Sequence, residues 1–265
     1  MDYAVIGGDA RFACLTRLLC GVGLDARWIE GGDCGLRVPR AQMDDVEKAQ
    51  SIIMNWPNKY AEEILMRAKS GASIYFCGPA NPKETPADLK CVDLWKDEQL
   101  QLENAWLTAE GAISAVMNRA NRALKDCCCL VIGWGRIGRA LTELLIGLGA
   151  EVTVASRSEK GRNGAIERGA QSISTYNMKE ALWGKNVVFS TPPERVLGEE
   201  GLTYAEKDVL IVDLASAPYG VDLEAAERLN LKAWREPGLP GRYCPVSAAY
   251  ALLSAIRRAE EEDFA

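Results

Sequence analysis

Short apolar runs, each closed by glycine or proline, alternate along this chain with stretches whose apolar residues recur at helical spacing. That rhythm predicts βα units wrapped around parallel sheets. The opening run Tyr3-Ala4-Val5-Ile6 reads as a strand ending in Gly7-Gly8, after which Asp9 caps a helix with Phe12, Leu15, Leu18 and Leu19 on one face. Further strands are expected over 26–29, 51–56, 73–77 and 91–95, with a helix over 59–68 that turns Ile64 and Leu65 inward. The Gly/Pro-rich stretches 31–39 and 78–86 read as loops. Thr108-Ala109-Glu110-Gly111 then reads as the start of a long helix reaching Leu124, and a second βα series follows it directly.

The second series carries the most specific pattern. The apolar strand 127–132 runs into Gly133-Trp134-Gly135-Arg136-Ile137-Gly138, and a helix follows with Ile137, Leu141, Leu144, Leu145 and Leu148 on one face. Gly149 stands past its end as a C-cap, and the strand 151–155 comes next. A strand, a glycine-rich turn, a helix and a second strand in this order make a dinucleotide site. The first glycine forms the tight turn, the second lets the backbone approach a pyrophosphate, and the third packs helix on strand. Cofactor choice is read at the tip of the second strand. NAD sites place an acid there for the ribose 2′-hydroxyl, whereas this chain has Ser156-Arg157-Ser158, which suits a 2′-phosphate and favours NADP over NAD. Strands over 186–190 and 209–214 lead into Thr191-Pro192-Pro193 and Ala215-Ser216, so Thr191, Pro192 and Ala215 are expected on the nicotinamide side.

The fold expected is therefore α/β: two βα domains with parallel sheets, the second a Rossmann-type dinucleotide-binding domain, joined by a long helix. Residues 1–107 form an N-terminal domain for substrate or partner, 108–126 the bridging helix, 127–246 the cofactor domain and 247–265 a C-terminal helix with an acidic end.

Composition narrows the chemistry. A net charge of −6 argues against a nucleic-acid or anionic-membrane partner, and no apolar run is long enough to span a bilayer. The chain opens on a strand without a signal-peptide pattern, which predicts a cytoplasmic protein. Its 9 cysteines form no C-x-x-C pair. Neighbours in a strand point to opposite faces, so Cys127-Cys128-Cys129 reads as small buried side chains and no metal site is expected. The 265 residues contain no histidine, which removes the commonest general base and every imidazole metal site. Catalysis must rest on carboxylates, other side chains or the cofactor.

Several motifs occur together in a particular order: Gly7-Gly8-Asp9-Ala10-Arg11, Thr108-Ala109-Glu110-Gly111-Ala112-Ile113, Gly133 to Gly138, Ser156-Arg157-Ser158, Asp213-Leu214-Ala215-Ser216 and Pro237-Gly238-Leu239-Pro240-Gly241. In that order they resemble the A subunits of the dipicolinate synthases of spore-forming bacteria, over nearly the whole chain. The resemblance implies NADP-dependent oxidation of a cyclic dihydro- or hydroxytetrahydro-dipicolinate from the lysine branch to dipicolinate during sporulation. It also implies a partner, a flavoprotein-like B subunit; homo-oligomerisation stays open. Where that family typically reads Ala-Ser-Arg-Pro-Gly-Gly, this chain has Ala215-Ser216-Ala217-Pro218-Tyr219-Gly220. Where the family typically reads Ala-Pro-Lys-Thr-Ala-Gly, it has Cys244-Pro245-Val246-Ser247-Ala248-Ala249. Each departure removes a basic side chain.

A small dicarboxylate needs two anion-binding points. Arg11, just inside a helix, and Arg242, after the Pro-Gly-Leu-Pro-Gly segment, are the basic candidates. Gly8, Asp9, Gly78, Asn81 and Ser216 are expected to line the substrate. Glu110, read as opening the bridging helix, is the candidate general acid/base, with Thr108 beside it as cap or hydroxyl donor. Two other readings share the same cofactor site: a scaffold or regulatory protein inert without its partner, and a reductase of a small oxo or imino acid.

Overall fold

The computed structural model describes residues 1–78 and 85–262. The chain divides into two compact units: residues 1–104 with 240–265, and residues 105–239.

The first unit is a five-stranded parallel sheet in the order β2-β1-β3-β4-β5. Its strands are β1 (Tyr3–Ile6), β2 (Ala26–Ile29), β3 (Ser51–Asn55), β4 (Ser73–Cys77) and β5 (Lys90–Asp93), with helices α1 (Ala10–Gly21) and α2 (Ala61–Arg67). Both faces are covered, which is why the strands read as continuous apolar runs rather than as alternating ones. Val46, Ile64 and Leu65 pack with Ile6, Ile52 and Phe76 on one face. On the other, Phe12, Leu15 and Leu19 of α1 meet Leu252, Leu253 and Ile256 of the last helix. The fifth strand is shorter than the expected 91–95, because Asp93 caps a 3-10 turn at Leu94–Lys96.

Helix α3 (Glu98–Met117) corrects the expected bridging helix. It begins ten positions before Thr108 and stops short of Leu124, which instead opens a 3-10 turn. Asp97 is the true cap: its Oδ1 accepts from the N–H of Leu100 at 2.9 Å, and Arg258 Nη2 holds its Oδ2 at 2.7 Å. The boundary between the units falls inside α3, after Asn104.

The second unit is a six-stranded parallel sheet in the order β11-β10-β9-β6-β7-β8. In chain order its elements are β6 (Cys128–Ile132), α4 (Arg136–Gly147), β7 (Glu151–Ala155), α5 (Glu159–Glu167), β8 (Gln171–Ile173), α6 (Met178–Leu182) and β9 (Val187–Ser190). There follow α7 (Glu199–Leu202), β10 (Leu210–Asp213), α8 (Leu223–Arg228) and β11 (Lys232–Arg235). The strand order reverses between β6 and β9, so a crevice opens at the carboxyl ends of these two strands. Cys127 and Cys129 are buried and Cys128 half-buried.

The chain then returns to the first unit through α9 (Leu239–Tyr243) and α10 (Pro245–Glu262). The last helix is thus part of the first unit's core. Tyr3 and Tyr75 both donate to Glu260 Oε1, at 2.6 and 3.0 Å, and tie its end to the sheet. Among the described residues no helix is long and apolar enough to cross a membrane.

Candidate functional site: a cleft on the second sheet

A cleft of about 1070 Å³ lies along the carboxyl ends of β6, β7 and β9. Three glycines shape the turn at its floor, each for a different reason. Gly133 leaves β6 at φ +99, and a methyl group there would stand 2.5 Å from Thr191 Oγ1. Gly138 comes so close to the carbonyl of Gly133 that no side chain fits between them. Gly135 is different: a methyl group on it would meet nothing within 4 Å. Gly135 is also the N-cap of α4 and has no side chain to close the first turn's N–H groups. A helix N-terminus left open in this way attracts an anion, through its dipole and its backbone N–H groups. A pyrophosphate fits this floor.

The tip of β7 itself carries Ser156, Arg157 and Ser158, with the first carboxylate of the segment at Glu159. Ser156 is buried, and its N–H donates to the carbonyl of Ile173 at 3.0 Å. Ser158 caps α5, its Oγ accepting from the N–H of Gly161 at 3.0 Å. Arg157 lies on the surface between them, with Nη1 2.9 Å from Oε1 of Glu194, in the loop after β9. Sequence reasoning missed Arg162, which donates to the carbonyls of Ser156 and Arg157 at 3.0 and 2.9 Å and so holds the loop in place. It also missed Arg139, which adds positive charge to the cleft wall. Both are charged helix positions that read as solvated in the sequence.

Trp134 lies back on α5. A methyl group on Gly164 would stand 2.7 Å from its Nε1, and the guanidinium of Arg168 lies 5.4 Å from its ring centroid. The Thr191 hydroxyl donates to the carbonyl of Ile132 at 2.8 Å, so it ties β9 to β6, while Pro192 forms cleft wall. Gly133, Trp134, Gly135, Ser156, Arg157, Ser158, Thr191 and Pro192 therefore line one cleft; Arg136, Ile137, Gly138 and Ala215 do not.

The residues expected at the substrate are placed differently. Arg11 is bound to Asp9: its N–H and Nε donate to Oδ1 at 2.9 and 3.1 Å, and Nη2 to Oδ2 at 2.7 Å. Gly241 packs on this carboxylate so closely that a methyl group there would stand 2.7 Å from Asp9 Cγ. Two separate motifs, Gly7 to Arg11 and Pro237 to Gly241, thus meet at Asp9. Arg242 is exposed, its guanidinium 5.6 Å from the ring centroid of Tyr243. Gly8 adjoins this turn, and the backbone of Gly78 lies against the carbonyl of Trp56. Ser216 is exposed and accepts from the N–H of Tyr219 at 2.9 Å through its carbonyl. Asn81 lies outside the described residues.

The reading of Glu110 and Thr108 as the start of a helix is overturned, because both stand in the middle of α3. Thr108 is buried, and Glu110 lines a shallow apolar hollow with Ile113, Met117, Leu144 and Leu148, not the cofactor cleft. Burial pushes the Cys77 and Cys129 thiols up to about 12, so both are neutral at physiological pH.

Comparison with known proteins agrees with this geometry. Residues 129–217 match the family described as NADP oxidoreductase, coenzyme F420-dependent. The A subunit of dipicolinate synthase from Bacillus subtilis (strain 168) is 26% identical over 97% of this chain and 95% of its own length. The crystal structure of the corresponding protein from Bacillus halodurans superposes with a TM-score of 0.83 at 24% identity, covering 97% of each chain. The crystal structure of the Bacillus subtilis protein gives 0.78 at 25% identity, over 100% of this chain and 98% of that one. The second unit has the fold of pyridine-nucleotide-binding oxidoreductase domains, and the chain as a whole is similar, in sequence and in fold, to the A subunits of dipicolinate synthases, the resemblance its motifs carried.

Proposed function

We propose that this chain oxidises a cyclic dicarboxylate with NADP⁺, forming pyridine-2,6-dicarboxylate from a dihydro or hydroxytetrahydro precursor, together with a flavoprotein-like B subunit in the cytoplasm of a sporulating cell. The observation that carries the reading is the exposed Arg157 at the tip of β7, beside an open helix N-terminus.

The N–H groups that open α4 hold the pyrophosphate, and Arg157 takes the 2′-phosphate. Arg157 gives up Glu194 to do so. That exchange is favourable, because an exposed ion pair contributes about 0–1 kcal/mol and a charge-assisted bond to phosphate about 1.5–3 kcal/mol. Held there, NADP⁺ would supply the hydride acceptor for oxidation of a ring carbon. The ring loses a proton in the same oxidation, and the hydroxytetrahydro form also loses water. Aromatisation supplies driving force, so the protein contributes orientation more than a strong base. This suits a chain with no histidine and with Glu110 away from the cleft.

The test generates the cyclic precursor in situ, adds the protein with NADP⁺ or NAD⁺, and follows dipicolinate with and without the B subunit. Product from this chain, faster with NADP⁺, is the expected result. Product only with the partner would move catalysis to the complex, and turnover of linear oxo acids alone would replace the cyclic substrate.

A further inference from the structure

The carboxyl ends of β10 and β11 hold a second polar cluster, whose residues do not line the cleft described above. Asp213 ends β10 fully buried and accepts from the N–H groups of Ala215, Gly220 and Val221, each at 3.2 Å. Arg235, its register partner on β11, reaches the same carboxylate with Nε and Nη2, both at 3.4 Å. The flat face of that guanidinium lies 3.5 Å from the ring centroid of Tyr219. Tyr219 is held at φ +70, a backbone conformation costly for an aromatic residue and concentrated at functional sites. Behind the loop, the buried Ser190 hydroxyl, against which Gly220 packs, has no hydrogen-bond partner among the described residues.

A guanidinium whose only task was to neutralise Asp213 would close to the 2.7–2.9 Å of a strong charge-assisted pair. Here three backbone donors already satisfy the acid, and the contacts of Arg235 with it are long. Asp213 and Tyr219 thus fix the plane of Arg235 rather than consume it. Its Nη1 edge makes no hydrogen bond among the described residues, and its side chain is 28% exposed. This edge lies on the same carboxyl-end side of the sheet as the crevice between β6 and β9, where ligands of doubly wound sheets bind. The planar fork of arginine matches a carboxylate in two parallel bonds.

We propose that Arg235 is a carboxylate-binding residue of the second unit, its fork aimed by Tyr219 and Asp213 at a small organic acid. Only the identity of that acid rests on the function proposed above.

The full-length protein, saturated with NADP⁺, is titrated calorimetrically with pyridine-2,6-dicarboxylate, 2-oxoglutarate and the neutral pyridine-2,6-dicarboxamide. Arg235→Gln is expected to weaken binding of the acid by at least about tenfold, the loss of one charge-assisted bond. Arg235→Lys, which keeps the charge without the fork, falls between it and wild type. Tyr219→Gly removes the stack, relieves the positive φ and costs several-fold, while NADP⁺ affinity is unchanged throughout. If the glutamine variant loses its fold and NADP⁺ affinity with it, the lysine and glycine variants decide. Dicarboxylate affinity indifferent to residue 235 would overturn Arg235 and leave the cyclic substrate standing. Binding of 2-oxoglutarate alone, lost without Arg235, would keep Arg235 and remove the cyclic substrate. Equal binding of the dicarboxamide, or no binding of either acid by the wild type, would overturn the inference.

Discussion

The two units solve the same problem in opposite ways at their first strand-to-helix turn. Each has a strand, a glycine pair or triad, and a helix of 12 residues with its N-terminus at the carboxyl edge of the sheet. In the first unit Asp9 occupies the N-cap, its carboxylate bonded to the N–H of Arg11 and clamped by the guanidinium of the same residue. Gly241 packs against it from the other side. The anion that this helix end attracts is built into the chain. In the second unit Gly135 occupies the N-cap, with open space where a side chain would stand. A helix dipole and backbone N–H groups make an anion site only where the chain supplies no anion of its own. One cap residue separates a structural turn from a cofactor turn.

The sharpest way to break this comparison is to transplant the first unit's solution. Gly135→Asp is expected to lower NADP⁺ affinity by about a hundredfold or more, since a capping carboxylate both fills the site and repels phosphate. Its melting temperature should be unchanged or higher, and tight binding measured by fluorescence titration would refute the assignment. Next in size, Arg157→Asp should weaken NADPH binding by about 10–100-fold and NADH binding much less; equal losses would remove the 2′-phosphate contact. On the closed turn, Asp9→Ala is expected to cost about 1 kcal/mol in denaturant unfolding and to leave NADP⁺ binding alone.

Asp97 gives the pH counterpart. Burial alone would push its carboxyl up, but the N–H of Leu100 and the guanidinium of Arg258 hold it below the ordinary value. A depressed native pKa means its stabilisation is complete above the unfolded value of about 3.9 and is lost as pH falls below it. Asp97→Asn should therefore flatten the acid limb of the stability curve while lowering stability at pH 7. The smallest effect is expected from Glu194→Gln: releasing Arg157 from an exposed pair should tighten NADP⁺ by no more than about fivefold.

The turn and its strands were legible because they are local. Gly133 to Gly138 follow an apolar run, and each glycine's reason lies within a few residues of backbone or on the adjoining strand. Helix α3 was misread because Glu98-Gln99-Leu100-Gln101-Leu102-Glu103-Asn104 looks solvated, whereas Thr108-Ala109-Glu110-Gly111 imitates a capped start. The buried positions Ala105, Ala109, Ala112 and Val116 recur at helical spacing and carry one face straight through the apparent start at Thr108. Asp97 before Glu98 was the cap signal that would have found its start.

Local sequence, then, determined that this chain is a pair of βα sheets and which helix end is open, because periodicity and cap chemistry act over one or two turns. It could not determine that the last helix completes the first unit's core, or that Arg11 is spent on Asp9 beneath Gly241. Nor could it show that Arg157 meets Glu194 while Arg235 lies on Tyr219. Apart from the Asp9–Arg11 pair itself, whose members stand two positions apart, each of these depends on side chains brought together from separate stretches by sheet order and return of the chain. Whether an arginine is engaged or available is decided by those neighbours and not by its own position in the sequence.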